Sequence, residues 1–136
     1  MFRIILVSIF LLFVPFSFLV NAEQEVDLSK EYLKQGISLI KNGQLEGAIE
    51  EFKKAIEINP FFAAAYYNLG LCCLRLERFE EAIESLSRYI ESHPDSAFAH
   101  YNLGCAYSKI GNELKALEEY NKAVELNPKL SEREHQ

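Results

Sequence analysis

The sequence has no cluster of lysine and arginine residues, and its acidic residues outnumber its basic residues by 20 to 14. Nucleic-acid binding needs concentrated positive charge, because proteins hold the phosphate backbone largely through Lys and Arg. The sequence also lacks a glycine-rich phosphate loop and a Cys-x-x-Cys pair. We therefore predict that nucleic acid is not a partner and that the chain holds neither a metal ion nor a cofactor.

Cysteine is scarce, and the three that occur leave at least one thiol unpaired within a monomer. Cys72 and Cys73 are adjacent, so on a helix they would project about 100° apart and pair poorly with each other. A disulfide between Cys72 and Cys105 is one possibility. We favour the other, in which all three are small apolar residues in tight helix packing.

An apolar segment opens the chain, and residues 1–22 contain a single charged residue, Arg3. The segment ends at the small residue Ala22 before an acidic stretch, which predicts a signal peptide cleaved after Ala22. The alternative is an uncleaved membrane anchor over residues 4–20, although such a helix spans only about 25 Å of a hydrocarbon core about 30 Å thick. Either way we expect the rest of the chain to be exported, as a periplasmic, secreted or membrane-anchored protein.

The remainder of the sequence repeats with a period of 34 residues. Three glycines, three alanines and three prolines follow this spacing: Gly36, Gly70 and Gly104; Ala48, Ala82 and Ala116; Pro60, Pro94 and Pro128. The period predicts three consecutive units over residues 29–62, 63–96 and 97–130. A linker over residues 23–28 would precede them, and a tail over residues 131–136 would follow.

Each unit shows the pattern of two helices. In the first unit, Asn42-Gly43 separates two runs of apolar residues at helical spacing, and Pro60 ends the second run. The small residues Gly36 and Ala48 would let the paired helices approach closely, with Phe52 covering the contact. Because an isolated pair cannot bury both of its faces, the units must stack on one another. The sequence therefore predicts an all-α solenoid.

Short strings within this pattern point to a family. Residues 66–70 read Tyr-Tyr-Asn-Leu-Gly and residues 100–104 read His-Tyr-Asn-Leu-Gly, which resemble the first-helix signature of the tetratricopeptide repeat. Residues 79–83 and 123–128 resemble its second helix and closing turn. The resemblance covers residues 29–130 and implies a right-handed α-solenoid of three helix-turn-helix units. Three residues depart from the pattern: Gln35 replaces a leucine, Glu77 replaces a turn glycine, and Leu114 lies one place late.

The resemblance implies a function. Tetratricopeptide arrays hold a peptide or a helix of a partner in a concave groove lined by their first helices. The groove residues that it implies here are Leu33, Lys34, Ile37, Tyr67, Asn68, Leu71, Arg75, Phe98, Tyr101, Asn102 and Lys109. Because this set is rich in apolar and aromatic side chains, we expect a partner segment with apolar anchors. An alternative is that the tyrosines and asparagines serve only the packing of one repeat on the next.

One specialised type of partner is not expected. Relatives that bind the acidic carboxy-terminal tails of heat-shock chaperones use Lys and Arg beside Asn at fixed groove positions. At the matching positions this chain has Leu33, Ile37, Asn68, Phe98 and Asn102, of which only Asn68 agrees. An exported protein would also not meet those cytosolic tails.

No arrangement of residues indicates catalysis. His93, His100 and His135 lie in no nucleophile or base pattern, and the paired glutamates recur on second helices, where solvated helix faces explain them. We therefore predict a non-enzymatic adaptor or scaffold for an exported or envelope complex. The alternatives are a self-associating structural subunit and an accessory chaperone for secreted clients.

The last helix offers a surface for such a homo-oligomer. We expect Leu117, Tyr120 and Val124 to be only partly covered, because no further unit packs on them. Ser131 and Glu134 form a capping-box pattern that favours the start of another helix.

Overall fold

The computed structural model describes the backbone of residues 16–135 and the side chains of Gln24 and residues 28–131. The described backbone forms α1 (Phe16–Lys41), α2 (Leu45–Ile58), α3 (Ala63–Arg75), α4 (Phe79–Ser92), α5 (Ala97–Lys109) and α6 (Glu113–Leu126), followed by a 3-10 helix (Pro128–His135). No β-strand occurs within this part of the chain. The prediction of an all-α fold built from helix pairs is therefore confirmed.

A residue in the left-handed conformation ends the first helix of every pair. The φ angles are 76° at Gly43, 58° at Glu77 and 77° at Gly111. The backbone N–H of the following residue donates to a carbonyl five residues earlier, at 2.8 to 2.9 Å, which satisfies an open carbonyl at the helix end. Glu77 thus keeps the turn of the repeat pattern without the conformational freedom of glycine, at a cost of about 1–2 kcal/mol.

The paired helices touch where the repeat places glycine. A Cβ atom added to Gly36 would collide with the Phe52 ring, and one on Gly70 would lie 2.7 Å from Leu86 Cγ. Gly104 has the same relation to Tyr120, at 2.8 Å from the ring. The structure therefore confirms the close approach expected from the small residues, because the large side chain of the second helix occupies the space that glycine leaves.

Replacing Gly70 with alanine tests this close approach. Leu86 is fully buried, so Gly70→Ala is expected to lower the free energy of unfolding by about 1–3 kcal/mol through overpacking. Gly47 is the matched control, since its added Cβ would come no nearer than 3.4 Å to Leu39. Gly47→Ala should keep or raise stability, because alanine is the better helix former. Equal effects of both substitutions in urea denaturation would contradict the proposed role of Gly70.

A single core runs through neighbouring pairs rather than forming separately in each. It joins buried residues of α2, α3, α4 and α5: Leu45, Ala48, Ile49, Phe52, Leu69, Cys72, Cys73, Ala82 and Ala106. Cys72 and Cys73 lie fully inside this core, Cys105 is half-buried, and all three are free thiols. The structure thus agrees with the interpretation of these cysteines as packing residues.

The buried thiol of Cys73 makes stability depend on pH. Burial raises its pKa from 9.0 to about 11, and the nearby Glu81 carboxylate adds to this. Above pH 9 the unfolded chain releases the thiol proton while the folded chain retains it, so stability is full below pH 9 and falls towards pH 11. We expect a loss of about 2–3 kcal/mol that Cys73→Ala removes. Parallel pH curves for the two proteins in urea denaturation would contradict this prediction.

The helices form two layers, and neighbouring helices lie closer together in one layer than in the other. First helices of neighbouring pairs contact each other, α1 with α3 and α3 with α5, whereas no such contacts join the second helices within the described chain. Second helices instead contact the first helix of the next pair. The array therefore curves, with α1, α3 and α5 on the inner side and α2, α4 and α6 on the outer side.

The amino-terminal part differs from the prediction. Residues 23–28 lie inside α1, so the predicted linker is wrong: the sequence from Phe16 to Lys41 contains no proline and only one glycine, Gly36, and the helix continues through it. Most of the predicted signal peptide over residues 1–22, or anchor over residues 4–20, lies outside the described residues and stays a prediction. Among the helices that are described, none combines the length and the apolar character needed to cross a membrane.

The carboxy-terminal segment forms a 3-10 helix (Pro128–His135) that contacts α6. Leu130 in the 3-10 helix is only 2% exposed, and its backbone N–H donates to the Asn127 carbonyl at 3.0 Å. The Ser131 hydroxyl donates to the Pro128 carbonyl at 2.8 Å. Ser131 therefore stabilises this tight turn, and the capping-box pattern does not start an α-helix within the described chain.

Candidate functional site

The solvent-facing sides of the three first helices form one continuous surface. In α3, Tyr67 and Leu71 are half-buried and Arg75 is exposed, whereas Leu69 and Cys73 on the opposite side are buried. In α5, Tyr101 is half-buried and Lys109 is exposed, whereas Leu103 is buried. In α1 the equivalents of Leu69 and Cys73 are Gln35, which is exposed, and Leu39, which is half-buried. We define the inner face as positions 30, 33, 34, 37, 40 and 41 of α1 and their equivalents 34 and 68 residues later.

The structure brings all eleven predicted groove residues together on the inner face. Seven are half-buried: Leu33, Ile37, Tyr67, Asn68, Leu71, Tyr101 and Asn102. Four are exposed: Lys34, Arg75, Phe98 and Lys109. Phe98 is 48% exposed, which is unusual for so large an apolar side chain. The surface is thus apolar and aromatic in its middle, with cations beside it.

The two tyrosines pack within their own helix pairs. The ring centroid of Tyr67 lies 4.8 Å from that of Tyr89, and Tyr101 lies 5.5 Å from Tyr120. Burial raises the pKa of Tyr67, with Asn102 as its hydrogen-bond partner. Tyr67 therefore also joins α3 to α5, so packing accounts for part of what these residues do.

The inner-face asparagines are each partly engaged within the protein. The Asn68 amide donates to the Ala64 carbonyl at 2.8 Å, one turn earlier in the same helix, and Asn102 bonds to Tyr67. An asparagine side chain has two N–H donors and one carbonyl oxygen. Each amide therefore keeps hydrogen-bonding capacity for the backbone of a bound segment, while its orientation is fixed by the protein.

One buried ionisable pair was not predicted. Nδ1 of His100 lies 2.6 Å from a Glu119 oxygen, and Nε2 lies 3.0 Å from the Pro94 carbonyl. The two ring nitrogens of His100 therefore both have a polar partner within hydrogen-bonding distance. The pair lies between α5 and α6 and is only slightly exposed, so it stabilises the third pair. The sequence contains one sign of this pair: His100 stands at the repeat position that Tyr32 and Tyr66 occupy in the other two units.

The described residues show no group of three or more His, Cys, Asp or Glu side chains that could hold a metal ion. The side chains of the inner face offer apolar contact, hydrogen bonds from amides, and cations that can pair with carboxylates. These are the interactions with which proteins hold peptide segments.

Two sequence models, both described as tetratricopeptide repeat, match the chain over residues 33–97 and 97–130. The chain belongs to the tetratricopeptide repeat family. The two matches together cover all six α-helices, apart from the first part of α1. The resemblance first noted in the short strings of α3 and α5 is thereby confirmed.

Known tetratricopeptide proteins resemble this one over part of their length. The crystal structure of MamA is 33% identical with a TM-score of 0.71, covering 74% of this chain and 58% of MamA. YrrB, whose structure is described as that of a TPR protein with an unusual peptide-binding site, is 29% identical with a TM-score of 0.69, covering 74% of this chain and 52% of YrrB.

A shorter match links the chain to an uncharacterized protein, MJ0572, of Methanocaldococcus jannaschii. The two are 37% identical over 46 residues, which is 34% of this chain and 54% of that protein. The tetratricopeptide chain described here thus spans little more than half the length of these three relatives.

The Tyr67 hydroxyl can be tested apart from its ring. Tyr67→Phe keeps the contact with Tyr89 but removes the bond to Asn102, so we expect the free energy of unfolding to fall by about 1 kcal/mol. Tyr107→Phe is the matched control, since Tyr107 is half-buried and its described contact is between its ring and Lys115. If both substitutions changed stability equally in urea denaturation, the hydroxyl of Tyr67 would have no role in joining α3 to α5.

Proposed function

We propose that this protein is a non-enzymatic interaction module that binds a peptide or a helix of another protein on its inner face. The observation that carries this proposal is the apolar middle of that face, where Leu33, Ile37, Leu71 and Phe98 remain partly exposed. YrrB supports it, because a related tetratricopeptide protein is described as having a peptide-binding site.

The setting of this binding belongs to the same proposal. The apolar segment over residues 1–22 supports export, with the binding module acting as an adaptor or scaffold in a secreted, periplasmic or envelope complex. An uncleaved segment over residues 4–20 would instead hold the module at the outer side of a membrane.

Self-association is a second candidate, favoured by the apolar end of the array. Leu114 is 85% exposed and Leu117 is 58% exposed, whereas Ile49, at the place of Leu117 in the first unit, is fully buried under α3. At the opposite end of the array, the exposed Gln35 occupies the position of the buried Leu69.

Site-specific crosslinking distinguishes the two candidates. A photo-reactive amino acid in place of Leu71 should attach a different protein in the native cell, whereas the same group in place of Leu114 should attach either nothing or a second copy. Mass spectrometry of the products identifies what is attached. Attachment of only a second copy at both positions would contradict the proposed adaptor function.

Reciprocal substitutions provide the control. The pair Tyr67→Ala and Tyr101→Ala should abolish capture of the partner and leave the oligomeric state unchanged. Leu114→Asp with Leu117→Asp should do the opposite. Because Tyr67 also packs on Tyr89, circular dichroism must show that the tyrosine variant is folded, and Leu71→Asp serves as a second inner-face variant. An inner-face variant that altered only the oligomer would exclude partner binding at this surface.

A further inference from the structure

Acidic residues are absent from the inner-face positions, although α1 carries four, of which Glu31 pairs with Lys34 at 3.7 Å. The helices α2, α4 and α6 carry four glutamates each, whereas α3 and α5 carry no acidic residue at all. On the inner face of α1 the ionisable residues are Lys30, Lys34 and Lys41. The two layers therefore differ in charge: the outer layer is strongly negative, and the inner face is positive.

Three of the inner-face cations form a row. Lys41, Arg75 and Lys109 are each the last residue of a first helix, lie 34 residues apart and are exposed. None of them forms an ion pair with any residue that the structure describes. We call Lys41, Arg75 and Lys109 the cation row.

The outer layer contains three cations at the same spacing, but these form ion pairs. Lys54, Arg88 and Lys122 are also 34 residues apart, and each pairs with a glutamate three positions away in its own helix, at 2.7 to 3.2 Å. These three cations of the outer layer are thus neutralised within the protein, whereas those of the cation row are not.

The dipole of the helix does not account for the cation row. A cation near a helix C-terminus is favourable in any helix, yet α2, α4 and α6 have no basic residue in their last turn. The row is therefore a property of the inner face. A dipole effect would also leave unexplained why carboxylates are absent from the whole of α3 and α5.

We propose that the segment bound on the inner face is acidic as well as apolar, with its carboxylates paired to Lys41, Arg75 and Lys109. This inference depends on the proposed peptide-binding function and adds the charge of the ligand to it. Apolar side chains of the segment contact the middle of the face around Leu71, and its carboxylates lie along the edge formed by the row.

The spacing of the row sets a spacing in the ligand. Packed helices lie about 8–10 Å apart. A segment in the polyproline II conformation advances about 9 Å in three residues, and every third side chain returns to the same edge. The bound segment is therefore expected to be extended, with acidic residues at every third position over about seven residues.

Binding of defined synthetic peptides tests this inference. Three series of nine-residue peptides carry Glu, Gln or Lys, respectively, at positions 1, 4 and 7. The other six positions hold Leu, Phe and Ser, in the same set of sequences in every series. Fluorescence polarisation with the full chain should show the Glu series binding roughly tenfold more tightly than the Gln series at low salt. The difference should vanish at high salt, because ions screen exposed charges.

Matched variants locate the effect. The triple substitution K41Q/R75Q/K109Q should abolish the preference for the Glu series, and K54Q/R88Q/K122Q, with the same change in net charge, should keep it. K41E/R75E/K109E should prefer the Lys series. Exposed charges contribute little to folding, so all three variants are expected to fold.

The outcomes separate the two proposals. If the Glu and Gln series bound equally well, and Leu71→Asp abolished the binding of both, the proposal of an acidic ligand would be wrong. The proposal of peptide binding on the inner face would still stand. The proposal of an acidic ligand would also be wrong if K54Q/R88Q/K122Q removed the preference for Glu as fully as K41Q/R75Q/K109Q. The net charge of the protein alone would then explain the preference. Failure of every series to bind would contradict both proposals.

Discussion

The contact between a glycine and a large side chain within each helix pair is the constraint on which the rest of the structure depends. Gly36, Gly70 and Gly104 leave space that a residue of the second helix fills. This brings the paired backbones close enough to exclude water and fixes the rotation of both helices about their axes. Once that rotation is set, one side of each first helix faces its partner and the other faces the inner surface of the array.

Stacking of the pairs then creates the functional surface. Ile49 and Leu69 contribute to one core that spans neighbouring pairs, so the pairs cannot be separated without exposing apolar area. Because first helices contact one another and second helices do not, the same packing gives the array its curvature. A concave, partly apolar face thus follows from how the core is filled, and none of its positions carries an acidic residue.

Prediction from the sequence succeeded where the signal was periodic and local. The spacing of Gly, Ala and Pro located the helix pairs, and Asn42-Gly43 marked a turn that the structure confirms at Gly43. It failed at residues 23–28, where a linker was inferred from position and not from any residue that breaks a helix. The pairing of His100 with Glu119 was missed because the two residues lie 19 positions apart, beyond the reach of a local pattern.

By itself, the sequence determined the all-α class and the period, because helix periodicity and turn residues act over a few positions. The eleven residues that share the inner face came from the resemblance of its short strings to the tetratricopeptide repeat. Only the tertiary structure decided which of these side chains remain available. It showed that Tyr67 packs on Tyr89, that Asn102 bonds to Tyr67, and that Arg75 has no ionic partner in the described chain. Such availability depends on residues that are brought together from different helices, and no single segment of the chain contains that information.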